Sequence, residues 1–291
     1  MSAEGIRSDK RVVSRSEGPS NLRLATYNVH GLSRFSNVLQ VLRDSEADVV
    51  ALQEVSERGC KRLVEQLGWA DCAFSPATFM GNGIISRFPL EVYQIGQLQS
   101  KWGDETRSAA VVTVLGLSTP LRLCATHLDH VDERARMEQA QSLLRELEKI
   151  LGTNDGRAFI VAGDFNALTR IDYSTEQWKE IEDHRKANFW EAPQVELMEM
   201  LRVDQGFEDA KQFKGDDGGH QDKGGTSRFG TRIDYIFRGT KCPWSFVPGS
   251  YKIVSGMPAS DHNLVRVDVQ LETGTDGMSG GLVEGSETDA S

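Results

Sequence analysis

Short runs that are wholly apolar and rich in β-branched residues recur along this chain, and each stops at a polar side chain. Val49-Val50-Ala51-Leu52 runs into Gln53-Glu54, and Phe159-Ile160-Val161-Ala162 runs through Gly163 into Asp164. Such runs, four to eight residues long and bounded by turn formers, read as buried strands. Strand signals lie at residues 22–29, 48–55, 82–86, 109–115, 121–127, 158–163, 232–237, 245–253 and 263–271. Helical periodicity lies between them at residues 37–43, 56–67, 132–151 and 193–202. The longest helix opens on Asp132-Glu133, acids suited to the positive end of a helix dipole, and stops before Gly152. The alternation makes this an α/β chain. Taken alone, it is equally compatible with a parallel sheet.

One domain is expected over residues 21–271, between an N-terminal tail, 1–20, and an acidic Gly/Ser-rich C-terminal tail, 272–291, both of disordered composition. Two stretches stand apart as loops: residues 170–192, charged and carrying Trp178 and Trp190, and the glycine-rich residues 214–227. Loops of this kind often border a site, and equally often are surface insertions. The net charge of −10 argues against a surface that coats nucleic acid, yet leaves room for a substrate held one phosphate at a time. Four cysteines without a C-x-x-C pair suggest no disulfide framework, so a reducing compartment is expected. No stretch approaches the roughly 18 apolar residues of a membrane span. The N-terminus lacks the apolar core of a secretory signal. A soluble protein of the cytoplasm or nucleus, without stable membrane association, is therefore expected, with organelle targeting as the weaker alternative; a monomer is expected as well.

The polar ends of the runs carry the chemistry. They are Thr26-Tyr27-Asn28, Gln53-Glu54-Val55, Thr126-His127-Leu128, Gly163-Asp164-Phe165-Asn166 and Ser260-Asp261-His262-Asn263. Brought together, they would form a hard-cation site beside two bases, suited to phosphate-ester hydrolysis. Glu54 is the foremost ligand for magnesium, with manganese as a substitute. Asp164 and Asn166, spaced i, i+2, share one side of an extended segment. The carboxylate can orient or deprotonate water while the amide donates to a phosphate, although Gly-Asp-x-Asn is also turn chemistry. Asp234 is an acid inside an apolar strand and needs a partner. His262 would supply one and be oriented by it; Arg232 is the structural alternative. His127 can donate to a phosphate oxygen. Arg107 and Phe229, with Trp102 and Arg228, are candidates for clasping a phosphate or stacking on a base.

Gln-Glu-Val, Gly-Asp-Phe-Asn-Ala and Ser-Asp-His, in this order across residues 22–271, resemble the endonuclease/exonuclease/phosphatase superfamily of DNase I-like phosphoesterases. The resemblance implies a four-layer α/β sandwich in which helices flank two packed, mostly antiparallel sheets. It implies magnesium held mainly by Glu54, with Asn28 and Asp261 nearby. By the same carry-over, Asp164 activates or orients water and Asn166 contacts the scissile phosphate. His262 works with Asp234, and His127 binds the phosphate or assists the leaving group. A glutamate partner for His127 is expected at Glu105, and Arg136 with Gln139 is expected to orient the site from the long helix. His30 stands where apurinic endonucleases often carry Asp. Tyr27 and Phe165 replace the Trp and Thr of the tyrosyl-DNA phosphodiesterase 2-like branch.

The reading is a magnesium-dependent hydrolase of phosphodiesters, acting on nucleic acid or a nucleotide-like substrate by in-line water attack. Its competitors are a phosphatase or phosphodiesterase of a phosphoinositide, sphingomyelin or other small ester, and a non-catalytic binding protein on the same scaffold.

Overall fold

The computed structural model describes residues 18–103, 105–151, 157–213 and 224–272. The two tails, apart from residues 18–20 and 272, and most of the glycine-rich 214–227 lie outside the described residues.

The elements run β1 (Asn21–Asn28), α1 (Phe35–Ser45), β2 (Val49–Val55), α2 (Glu57–Leu67), β3 (Asp71–Ser75), β4 (Gly81–Ser86), β5 (Leu90–Tyr93), β6 (Ala109–Val114) and β7 (Leu121–His127). They continue with α3 (Glu133–Leu151), β8 (Ile160–Asp164), α4 (Thr175–Ala187), α5 (Glu196–Glu199), β9 (Glu208–Asp209), β10 (Asp234–Arg238), β11 (Trp244–Phe246), β12 (Lys252–Val254) and β13 (Leu264–Leu271). Among the described residues they build two sheets. One has the order β11-β13-β1-β2-β4-β3, with β12 also on β13; the other has the order β5-β6-β7-β8-β10-β9. Only β1/β2 and β7/β8 pair in parallel, and they lie at the centres of the two sheets. The expected sandwich is present, and the parallel-sheet alternative is confined to these two pairs.

Alternation along the strands explains the layering. Leu22 and Leu24 of β1, Val49 and Ala51 of β2, Leu121, Leu123 and Ala125 of β7, and Ile160 and Ala162 of β8 meet in one core between the sheets. The opposite parity, Ala25, Tyr27, Val50 and Leu52, packs with Val38, Leu39, Leu42 and Leu63 of α1 and α2. On the other side Cys124, Phe159, Val161 and Phe237 pack with Leu143 and Leu147 of α3 and with Leu197 of α5. The result is four layers, as strands buried on both faces demand.

Several expectations require correction. Residues 245–253 are two strands, because Pro248-Gly249 turns the chain between β11 and β12 and Gly249 takes φ 71°. Residues 193–202 are a short α5 that widens into a π turn at Met200–Asp204. The charged stretch 170–192 holds a real helix, α4, fastened by a capping box between Ser174 and Gln177. The strands β3, β5 and β9 were not expected.

Candidate active site

The polar strand ends continue the inward parity of the intersheet core. Asn28 follows Leu22, Leu24 and the buried Thr26, His127 follows Leu123 and Ala125, Asp164 follows Ile160 and Ala162, and Asp234 precedes Ile236, each in steps of two. Where the apolar residues stop, these four therefore point into the open end of the same space. Register sets them side by side: Asp164 lies opposite His127 on β7 and opposite Asp234 on β10. Gly163 permits the close β7–β8 approach, because a Cβ there would sit 1.9 Å from the Thr126 carbonyl oxygen.

Glu54 breaks the parity that would send it toward the helices. β2 is irregular between Leu52 and Val55, and Glu54 has φ 52°. This left-handed residue inside a bulged strand end turns the carboxylate toward the cleft, at a backbone cost of order 1–3 kcal/mol. Asn166, with φ 50°, and His30, with φ 45°, are also left-handed at this site.

Asp164 is the hub. The amide nitrogen of Asn28 donates to Asp164 Oδ2 (3.2 Å) and to Glu54 Oε1 (3.0 Å), tying the two sheets together through one side chain. Asn28 Oδ1 accepts from His30 N. His127 Nε2 and His262 Nε2 stand 3.6 and 3.7 Å from Asp164 Oδ2. Asn166 N donates to Asp164 Oδ1, and Asn166 Nδ2 donates to the Leu128 carbonyl at 3.1 Å. A carbonyl only accepts, so the amide atom there is the nitrogen. Its contact to His127 Nε2, also 3.1 Å, is then a donation, and the ring proton of His127 resides on Nδ1. Asn166, expected against the phosphate, thus orients His127 in this structure.

His262 Nδ1 meets Asp234 Oδ2 at 2.9 Å, the pairing expected from the sequence. The structural alternative is closed off, since Arg232 is instead engaged by Asp172 and Asp209. Ser260 Oγ donates to the Asn28 carbonyl and so fastens the Ser-Asp-His segment to the end of β1.

The two histidines are driven apart in protonation. Burial, then Arg107, His262 and His130, holds His127 well below the ordinary imidazole range. Burial also acts to lower His262, but the Asp234 and Asp164 carboxylates outweigh it and lift the pKa to about 10. Burial beside the Asp234 charge raises Asp164 to about 7. Near neutral pH the site thus holds a neutral imidazole, an imidazolium, and a carboxyl that readily takes or gives a proton.

A cleft of about 390 Å³ opens over this cluster, lined by Glu54, Arg107, His127, Asp164, Asn166, Arg228, Phe229, Asp261 and His262 among others. The expected residues are therefore brought together, with Asn28 just beneath. Asp261 reaches the same cleft, its oxygens 3.1 Å from His30 Nδ1 and 3.6 Å from Arg228 Nη1. Glu105 is not the partner of His127: it binds Arg107 at 2.6 Å, and Arg107 also contacts His130 Nδ1. Arg136 and Gln139 hold the turn after β7, through the Asp129 carbonyl and Asp129 N respectively. Trp102 lies against Arg134, and it is not among the residues lining this cleft. His30 was noted in the sequence only as a departure from the apurinic-endonuclease pattern, and neither its contact with Asp261 nor that of His130 with Arg107 was expected.

Two places could attract a cation. Asp164, Asp234 and His262 cluster closely, but they are buried and His262 already neutralises them. Glu54 is half-buried at the cleft, and Asn28 engages only its Oε1. A carboxylate oxygen facing open space suits a hard, oxygen-seeking divalent cation better than a self-paired triad does.

The Endonuclease/Exonuclease/phosphatase family model matches residues 25–262. An uncharacterized Escherichia coli protein, YbhP, is 28% identical over 174 residues, which are 50% of this chain and 67% of that protein. Among solved structures, an endonuclease/exonuclease/phosphatase from Bacteroides vulgatus superposes with a TM-score of 0.60 at 20% identity, covering 87% of this chain and 100% of its own. The human Nocturnin catalytic domain gives 0.60 at 17% identity over 88% and 96% of the two chains. TDP2 from Caenorhabditis elegans gives 0.59 at 16% identity over 89% and 78%. These structural likenesses concern the fold.

Proposed function

This chain belongs to the endonuclease/exonuclease/phosphatase family, a family of phosphoesterases, and on that footing we propose that it is a magnesium-dependent phosphodiesterase acting on nucleic acid or nucleotide-like substrates. The observation that carries the reading is Asp164, set among Asn28, His127 and His262 at 3.2–3.7 Å at the floor of an open cleft.

Asp164 accepts the proton of a water as its oxygen bonds to phosphorus, a role that a carboxyl near neutral pKa fits. His262, kept protonated by Asp234, places positive charge against the non-bridging oxygens as charge accumulates there. His127, neutral and steered by Asn166, sets an uncharged imidazole beside Asp164. Arg107, on the cleft wall, adds a fixed cation. Glu54, flanked by Asn28 and Asp261, would hold the metal, which supplies charge neutralisation at the phosphate and at the leaving oxygen.

The test is metal-dependent cleavage of end-labelled single-stranded DNA, duplex DNA, abasic duplex, 5′-phosphotyrosyl DNA and polyadenylate RNA. Asp164→Ala or Glu54→Ala is expected to reduce turnover by at least about 10²–10⁴-fold while the circular-dichroism spectrum is unchanged. Near-parental turnover in either folded variant removes the assigned site. Silence toward all five substrates, with hydrolysis of a phosphoinositide headgroup instead, moves the substrate to small phosphate esters.

A further inference from the structure

Beside the catalytic cleft lies a second and larger cavity of about 760 Å³, and the two share Asn166, Ser227, Arg228 and Phe229 as a common wall. Its far side is α4 and the segment that follows it, a part of the chain with no role in the phosphate chemistry above. Three rings converge there. Trp190 meets Phe229 at a centroid distance of 5.0 Å, and His184 meets Trp190 at 5.5 Å and Phe229 at 5.9 Å. Trp190 and Phe229 meet nearly perpendicular, at 76°, and remain 43% and 47% exposed, so these rings pack on one another while both still line the cavity. Gln177, Glu180 and Arg185 place polar groups around the same space.

We propose that this cavity is a nucleoside subsite, taking one unpaired base attached to the scissile phosphate and stacking it on Trp190, with Phe229 set nearly perpendicular beside it. The inference rests on the phosphodiesterase reading and names the part of the substrate that reading leaves open. Continuity with the cleft means that an occupant can be covalently joined to the reacting phosphate. Flat rings with polar groups at the rim suit a heteroaromatic ring with hydrogen-bonding edges. The volume is that of a small-ligand pocket, enough for a nucleoside. Arg228 fits the junction, since its guanidinium lies 4.7 Å over Phe229 and 3.6 Å from Asp261 of the catalytic cleft.

Two measurements test it. The first is the ratio of kcat/KM for the p-nitrophenyl ester of thymidine 5′-monophosphate to that for methyl p-nitrophenyl phosphate. The parent is expected to prefer the nucleoside ester, and Trp190→Ala to reduce that preference by about 5- to 150-fold, the range of one base–aromatic stack. An unchanged ratio in Trp190→Ala, or no preference in the parent, overturns the subsite. The second is quenching of tryptophan fluorescence by thymidine 5′-monophosphate, expected in the parent and lost in Trp190→Phe. Quenching by the nucleotide with no hydrolysis of either ester would overturn the phosphodiesterase reading and keep the subsite. Hydrolysis without quenching or preference would do the reverse.

Discussion

At the scale of single residues, the site works by opposing burial and charge. Asp234 is fully buried, and its carboxylate is made tolerable by the imidazolium of His262. His262→Ala leaves that carboxylate without its ring, and removal of one member of a buried ion pair costs about 3–5 kcal/mol. Urea denaturation at neutral pH is expected to show a loss of that size, and a loss below about 1 kcal/mol would mean that the pair adds little to the folded state. His127 gives a prediction of the opposite electrostatic sign. Its folded pKa is lowered while the unfolded value stays near 6.5, so below that pH the unfolded chain binds the extra proton and stability falls with pH. His127→Gln is expected to flatten the part of the acid-side decline that begins near pH 6.5. Parallel stability–pH curves for variant and parent, recorded in chelator, would contradict this.

At the scale of elements, one buried side chain joins the two halves of the site. Arg136 on α3 donates to Glu133 at 2.6 Å, to Glu191 and to the Asp129 carbonyl, so it locks the helix start, the turn after β7 and the segment carrying Trp190. Arg136→Met preserves the bulk and leaves two carboxylates without their cation, at an expected cost of about 3–5 kcal/mol. A melting temperature within a degree of the parent would refute that role. The Arg-x-x-Gln spacing was visible in the sequence; its partner Glu191, distant along the chain, was not. The same division applies across the fold. β1, β2, β7 and β8 were legible because both of their faces are largely buried, so that apolar residues dominate each run up to its polar end. β5 has two exposed residues out of four, and β9 is two residues long, so neither leaves a run to read. α4 buries no residue, hence carries no apolar stripe, and only the Ser174–Gln177 capping box marked its start. Asn28, His127, Asp164 and Asp234 were readable as strand ends. The bulge that turns Glu54 inward is a matter of backbone torsion that no residue pattern announces.

At the scale of the whole molecule, charge limits how a polymer can be held. The chain carries a formal −10, and the cleft arginines are already engaged, Arg107 by Glu105 and Arg228 by Asp261. A substrate strand is therefore expected to be held by a few cations at the reacting phosphate, with the chain's net negative charge opposing long-range tracking. Each phosphate neutralised on a single strand contributes about −0.7 to the slope of log affinity against log salt. With roughly two such contacts the slope for a single-stranded oligonucleotide is near −1.4, a loss under about tenfold between 50 and 200 mM salt. Steady-state KM for an oligonucleotide across a salt series measures it. A slope beyond about −4 would reveal a basic track away from the cleft and recast the enzyme as one that grips long polymers. A shallow slope fits a protein that takes its specificity from the group seated beside one phosphate, which is the arrangement the adjoining cavities provide.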